Sequence, residues 1–576
     1  MVNTRFIGGG IALAILAQFS LPAAAQSFRV QCPSSTTLHG SDTSGTYTGP
    51  ATVNKTITRK DGSTYTLPYV DNGGGIKCQQ ISGGDGYATM ADGTQTYLFG
   101  FGPLSGVADL AKGLPGTQRA RDFNLSNLTT TGGVIPDIFV GAPVDQGAQS
   151  AAGYAFNGAI GLVPDQAASK FDAAGNVTSN CVSNNYNAPN PPPVGGPPVV
   201  QNPNANTGCI DGHVDPRLIM DVGVMNANQP APLMAIDEDD EFFLTLTNVG
   251  MIQRPDLFEQ HTVHFHGYPN ASAFYDGVPD ASVAINIGGS FTYYYLAPDA
   301  GTYFWHCHIS PPEHLQMGMV GQLYVRPRQN RVAAGASLFA SLQLQKNDPR
   351  TKCGTDILCS TPVPAADSGA TRAVGGGYAF NDGDGSTYYD VEYPIQIHGF
   401  DPNFHFVGMT FNPESFVDLK DKYFLLNGRS YPDTVQPGTM TTQATDGTMH
   451  ASQPMPTIIN IPLNGKALLR ISDLDVTEYQ TLASLGVPMK VVGLNARLLR
   501  DTAGNNMAYN TNSITLAGGE SIDVILDATG LTAGQKFYLY TPNLDHLSND
   551  AENFGGLMTE VNICSGAVNP QSHSCI

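Results

Sequence analysis

Two short stretches, HTVHFHG at 261–267 and GTYFWHCHISPPEHLQMGM at 301–319, hold six of the chain's thirteen histidines together with one cysteine and two methionines. Successive side chains of an extended strand point to opposite faces, so residues two apart share a face. If 261–266 is extended, His264 and His266 lie on one face and His261 on the other. The second stretch repeats the pattern: His306 and His308 share a face, and Cys307 between them points away. One strand pair can therefore serve two metal sites on opposite sides of a sheet. On one side His261, Cys307 and His314 supply two imidazoles and a thiolate, with the Met319 thioether as a long axial ligand. That is the donor set of a type 1 (blue) copper ion. On the other side His264, His266, His306 and His308 offer four imidazoles, which suit one or two further copper ions. The peptide links between Cys307 and its neighbours would carry electrons from the first site to the second. Trp305, the chain's only tryptophan, is expected to pack beside these ligands.

These residues resemble the multicopper oxidases. The likeness comprises His-x-x-His-x-His-Gly at 261–267, YDGVPD at 275–280, SFTYYY at 290–295, GTYFWHCH at 301–308 and the spacing from His314 to Met319. The interval from Cys307 to His314 is two residues longer than the family's usual one, which implies a slightly larger loop with the same ligand types. Copper nitrite reductases resemble the same scaffold but carry Asp where this chain has His264, and they lack the second histidine after the cysteine. The resemblance implies tandem Greek-key cupredoxin sandwiches. It also implies a cysteine that feeds a type 2/type 3 copper cluster where oxygen is reduced to water, and an electron donor that is a phenol or a low-valent metal ion. By the family spacing Met319 is the axial ligand and Met317 a core residue. Asp276 falls where the family places a proton-relay carboxylate, although an Asp beside Gly277 equally suits a turn. Electrons are expected to enter through an exposed edge of His314, and Glu313 is expected on the rim.

A cluster of this family takes eight histidines from two facing domains, and only four are present in these motifs. A second series of strand-like segments, YFLLNGRSYP at 423–432, KALLRISDL at 466–474, VPMKVVGLNARLL at 487–499 and ESIDVILDATG at 520–530, resembles a copper-free cupredoxin domain. It has no histidine near Tyr479 to Leu482 or near Leu539 to Thr541. His398 and His405 come too early and too far apart for ligation and are expected to be structural or exposed. His546 lacks a nearby cysteine, and His39, His213 and His573 are expected at the surface. Met440, Met449 and Met455 are too sparse for a Cu(I) loop. The missing half could come from a second copy meeting the first about a two-fold axis, or from a partner chain. Otherwise the protein is a blue-copper electron-transfer protein without oxygen reduction, or an extracellular scaffold with a vestigial site.

With 576 residues the chain has room for two to four domains. Only 13% of residues are charged, and 64 Gly with 40 Pro favour short strands and turns over long helices, so the expected class is all-β. A net charge of −21 opposes binding to nucleic acid or to an anionic membrane surface. Residues 1–25 read as a secretory signal peptide, with Arg5, an apolar run from Ile7 to Leu21 and small residues up to Ala25. No later run is apolar enough for a transmembrane segment. The mature protein is thus expected to be exported to the periplasm, the outer surface or the medium. Setting Cys307 aside leaves eight of nine cysteines for disulfides. Nearness pairs Cys353 with Cys359 and Cys564 with Cys575, and more weakly Cys181 with Cys209 and Cys32 with Cys78. The expected order is a disulfide-tied extension over 26–80 and a copper-binding cupredoxin domain over 81–330 with a loop-rich insertion at about 105–210. A connection over 331–385, the copper-free domain over 386–565 and a tail over 566–576 follow.

Overall fold

The structure is a computed structural model that describes residues 45–125 and 223–576, apart from 59–60, 72, 268–272, 298, 347–360, 410–414, 445–446 and 570–571. Short pieces between 32 and 39 and between 162 and 214 are described as well. The fold is all-β. A hairpin of β1 (Ala51–Thr58) and β2 (Thr64–Asp71) precedes a first sandwich. Its strands are β3 (Ile76–Thr89), β4 (Gln95–Pro103), β5 (Met234–Asp237), β6 (Glu241–Gly250), β7 (His264–Phe265), β8 (Ser290–Leu296), β9 (Gly301–His306) and β10 (Val320–Arg326). One sheet is ordered β8-β6-β3-β4 and the other β5-β10-β9-β7. The pairs β3/β6 and β5/β10 are parallel and the rest antiparallel, so the chain crosses between the sheets as in a Greek key.

Alternation builds this core. In β6, Phe242, Leu244 and Leu246 point inward. On the opposite face the hydroxyls of Thr245 and Thr247 meet those of Thr292 and Ser290 in β8, at 2.8 and 2.7 Å. Tyr293 and Tyr295 of β8 and Tyr303 and Trp305 of β9 fill the interior. The indole of Trp305 lies flat against the backbone at Gly321, where a Cβ would come within 2.5 Å of the ring. Thr302, Phe304 and His306 occupy the other face of β9.

That other face meets a second sandwich. Its strands include β11 (Val391–Phe400), β12 (Tyr423–Leu426), β13 (Ile459–Ile461), β14 (Lys466–Asp473), β15 (Gln480–Leu485), β16 (Met489–Leu494), β17 (Ser513–Leu516), β18 (Ser521–Asp527), β19 (Lys536–Tyr540) and β20 (Met558–Ile563). They run in the orders β12-β11-β14-β18-β16 and β13-β20-β19-β15-β17, closed over their own aliphatic core. Thr302 Oγ1 donates to the Asp523 carboxylate at 2.7 Å, Ser521 Oγ donates to the Thr302 carbonyl at 2.6 Å, and Phe304 packs with Val320 and Leu474.

The first strand of the sandwich begins at Ile76, so 76–80 are part of the sheet and not of an extension; Cys78 on this strand is bonded to Cys32. Part of the expected insertion is likewise integral, because Val107 and Leu110 pack with Leu233, Tyr324 and Met455. Cys564 is bonded to Cys575. The pairings of Cys181 with Cys209 and of Cys353 with Cys359, the side chain of His213 and residues 1–25 lie outside what is described. Among the described residues no helix is long and apolar enough to cross a membrane.

A buried ion network fastens the two sandwiches. Glu392 of β11 accepts from Arg326 of β10 at 2.6 Å and from Arg470 of β14 at 3.0 Å, and Arg470 stacks over Tyr324 at 4.8 Å. Burial pushes the Glu392 carboxyl up, but the two guanidinium groups outweigh it and hold it at about 2, below its ordinary 4.5. A depressed carboxyl stabilises the fold fully above its unfolded pKa and loses that effect as pH falls through the folded value. Replacing Glu392 by Gln is expected to cost about 1–3 kcal/mol at neutral pH, because the buried Arg470, left with Asp523 alone at 3.5 Å, and the partly exposed Arg326 lose their shared carboxylate. Denaturant unfolding of both proteins should show the gap narrowing as pH drops from 4.5 towards about 2.

Candidate metal centre

Residues 261–266 run extended along β9: His261 bridges to Ile285, and His264 and Phe265 pair with His306 and Trp305. The alternation therefore sorts the ligand types as the sequence suggests. His261, Cys307 and His314 converge on the core side, their ligand atoms within 4.8 Å of one another, and His314 Nδ1 stands 3.3 Å from Cys307 Sγ. All three are fully buried. Burial pushes His261 down to about 3 and His314 well below the ordinary range, and pushes the Cys307 thiol up to about 11. Neutral imidazoles are the form that binds metal, and the thiol keeps its proton until a cation displaces it. His261 Nδ1 and Nε2 and His314 Nε2 are buried without a hydrogen-bond partner, a shortfall that a bound metal ion would relieve. The Thr262 N–H donates to Cys307 Sγ at 3.4 Å, and the Met319 carbonyl accepts from the Cys307 N–H at 3.1 Å. Met319 and Met317 are both fully buried in the same core.

His264, His266 and His306 gather on the opposite face, ligand atoms again within 4.8 Å. The His308 ring stands 5.0 Å from that of His264 and 5.5 Å from that of His306. Nδ1 of His306 lies 2.6 Å from the Cys307 carbonyl, and Nδ1 of His264 lies 2.7 Å from the Asp276 carbonyl. Each ring thus donates Nδ1–H outward and keeps Nε2 free for a metal. The Nε2 atoms of His266 and His306 are 2.9 Å apart. That is about the spacing of two nitrogens bound at right angles to one ion with bonds of about 2.0 Å. Burial lowers His306 to about 3 and His266 to about 4, with the neighbouring imidazoles adding to the effect. Asp276 touches the set through His264, with its carboxylate 3.5 Å from Nδ1 and partly exposed.

Several expectations are corrected. His314 has no exposed edge. Its ring is covered by Phe99 at 5.2 Å, and its Nε2 lies 3.9 Å from the carboxylate of Glu259, which is 27% exposed. Glu313 is buried, not on the rim. His39 is buried against Glu241 at 2.7 Å, and His573 rests on the Tyr393 ring. His398 and His405, expected to be structural or exposed, need no correction, being fully buried with backbone carbonyl partners, and His546 is hydrogen-bonded to Gln480 and Glu478. Two site residues escaped the sequence reading. Glu259 shares the strand face of His261 by the same two-residue rule, which could have revealed it. Gly83, in the run ISGGDG, is placed where a Cβ would meet His261 Cδ2 at 2.8 Å; glycines within a strand signal such close approach.

The β-sandwich thus buries a thiol with two neutral imidazoles on one face of a strand pair and gathers four imidazoles on the other, two groupings that could each hold a metal ion. Residues 212–330 match the family model described as multicopper oxidase. Laccase abr2 of Aspergillus fumigatus is 33% identical over 109 residues, 19% of this chain and 17% of that protein. Multicopper oxidase MmcO of Mycobacterium tuberculosis is 35% identical over 80 residues, 14% of each chain. A solved structure of the blue copper oxidase from Nitrosomonas europaea aligns with 59% of this chain and 78% of its own, at 20% identity and a TM-score of 0.38. The chain thus spans less than a fifth of the length of these curated relatives. The segment that carries both ligand sets is the part of the chain that matches the multicopper oxidase family model, and its His and Cys groupings are suited to a metal ion.

Gly83→Ala should press on His261 and leave the four-imidazole set untouched. The expected result is roughly a tenfold loss of copper affinity at the thiolate site, within the 1–3 kcal/mol of local overpacking, read by copper titration of the visible absorption.

Proposed function

We propose that the chain is an exported copper oxidoreductase that takes single electrons from a donor at a type 1 site of His261, Cys307, His314 and Met319. It would pass them to oxygen at a type 2/type 3 cluster held by His264, His266, His306 and His308. The observation that carries this reading is the link between the two sets: His306 directly precedes Cys307, one peptide bond away, and its Nδ1–H donates to the Cys307 carbonyl at 2.6 Å. Copper bound at these sets would supply one-electron chemistry on one side and oxygen reduction on the other.

The chain's own residues prepare both ends. The Thr262 N–H at the sulfur favours the thiolate, and hydrogen bonds to such a sulfur tune its redox potential. Glu259 is the polar group between His314 and solvent, so it would receive the donor, either a cationic metal ion or the hydroxyl of a phenol. Asp276 fixes the His264 ring through its carbonyl and would hold or release a proton at its part-exposed carboxylate. The disulfides Cys32–Cys78 and Cys564–Cys575 and the leader-like residues 1–25 support export.

A second copy completes the cluster in this reading. His264, His266 and His308 are only partly buried, at the rim of the contact between the sandwiches. The second sandwich approaches His266 with Gly519, which has no side chain to ligate. The same observation favours the alternative, electron transfer without oxygen reduction. Copper analysis with oxygen uptake and mass in solution separates the two. More than one copper per chain, oxygen consumption and a dimer or larger assembly are expected, with Cys307→Ser abolishing turnover; one copper per chain with no oxygen uptake would sink the oxidase. Glu259→Gln is expected to slow oxidation of a low-valent metal ion roughly tenfold, equivalent to about 1.4 kcal/mol. Steady-state rates should show a smaller effect on a neutral phenol, because only the cation loses a charge partner.

A further inference from the structure

The helix that carries His314, α1 (Pro311–Met317), is too short to hold itself. It has seven residues, its N-cap Ser310 sits at φ 38° without a side-chain cap, and its first two positions are prolines. An isolated helix of this length is not stable in water, and the carbonyls of its last turn need partners from elsewhere. The Gly318 and Met319 N–H groups serve the Leu315 and His314 carbonyls at 3.0 and 2.8 Å, and the second sandwich adds further partners. His398, near the end of β11, places Nε2 2.9 Å from the Leu315 carbonyl. His405, in the next helix α2 (Pro402–Met409), places Nε2 3.0 Å from the Gln316 carbonyl and its other nitrogen on the Tyr97 carbonyl. The Gln316 side chain donates through Nε2 to Asp421 Oδ1 at 2.7 Å. His398, His405, Gln316 and Asp421 are all buried.

Asp421 is itself held from behind. Thr477 Oγ1 donates to its other oxygen and lies 3.1 Å from Asp475. Gln480 Nε2 reaches Asp475 at 2.5 Å, and Gln480 Oε1 meets His546 Nδ1 at 2.8 Å. His546 Nε2 ends the series on Glu478 at 2.7 Å, at the surface. The arrangement requires a glycine at 399, where a Cβ would fall 2.4 Å from the Asp421 carboxylate and 2.7 Å from that of Asp475. Burial, with Asp475 alongside, raises the Asp421 carboxyl well above its ordinary value.

We propose that the copper-free sandwich is the positioning element of the type 1 site: Asp421 through Gln316, together with His398 and His405, holds α1 so that His314 stays against Cys307. This gives the second sandwich's buried histidines a task other than ligation. The proposal rests on the type 1 reading of His261, Cys307, His314 and Met319, but its first test needs no copper.

In the metal-free full-length protein, Cys307 is reached by a thiol reagent only when α1 lifts away. The reaction is followed on the Cys307 peptide by mass, well below the unfolding temperature. Gln316→Leu and Asp421→Leu are expected to speed Cys307 modification roughly tenfold, as the loss of a buried hydrogen bond would. Asp421→Asn, which still offers Gln316 an acceptor, should stay near wild type. Val524→Ala weakens the second core without touching α1, and should lower the unfolding temperature but leave the rate unchanged. With copper added, Gln316→Leu should also shift the visible absorption and reduction potential. If Gln316→Leu leaves both the Cys307 rate and the copper signature at wild-type values, the positioning role is wrong, even should Asp421→Leu fail to fold. A wild-type protein with no blue absorption would overturn the type 1 reading instead, and the thiol rates would still decide whether the second sandwich holds the helix.

Discussion

Both faces of the strand Gly301–His306 are buried, and the rest of the molecule is arranged around that fact. Tyr303, Trp305 and the following Cys307 enter the core of the first sandwich. Thr302 and Phe304 press on the second sandwich, and His306 continues the same face into the imidazole set. Because side-chain direction repeats every two residues, a slip of one residue would exchange thiol and imidazoles between the faces. The ladders to His264–Phe265 on one edge and to Val320–Arg326 on the other forbid that slip. Two metal-ligand sets of different chemistry can therefore stand back to back across one peptide unit.

Burial then sets the chemistry of each set. Desolvation keeps His261, His314 and His306 neutral and keeps the Cys307 thiol protonated in the absence of a cation. At the thiolate set it strands His261 Nδ1 and Nε2 and His314 Nε2 without a hydrogen-bond partner. Such a site is costly as a plain core and is stabilised when a metal ion satisfies it. Glu259 is the partly exposed carboxylate beside His314, which makes it the natural meeting point of the buried site and solvent.

The sandwich without copper ligands contributes in a different way. Its ion network through Glu392 and its contacts to Thr302 and Phe304 fix the first sandwich from outside. Its histidines at 398 and 405 meet the carbonyls of the His314 helix and are distant in sequence from them, by 83 and 89 residues. Both were expected to be structural or exposed, and both are buried.

The sequence by itself determined the two ligand sets and their separation onto opposite faces, because a strand's period of two is local and follows directly from spacing. It also determined the all-β class and, in the second sandwich, the strands β12, β14, β16 and β18, whose alternation is equally local; β3, β11, β13, β15, β17, β19 and β20 were not read as strands. Burial of particular groups was decided only by the tertiary structure. His39 was read as a surface residue and is buried against Glu241, 202 positions away. His314 was read as an exposed edge and is covered by Phe99 and Glu259. Glu313, beside it in sequence, is buried as well. Such contacts join segments from 55 to 215 residues apart, and no local periodicity encodes them. The same holds for the way Gly519 of the second sandwich approaches His266: sequence counted the imidazoles, and only the packing of two sandwiches decided what faces them.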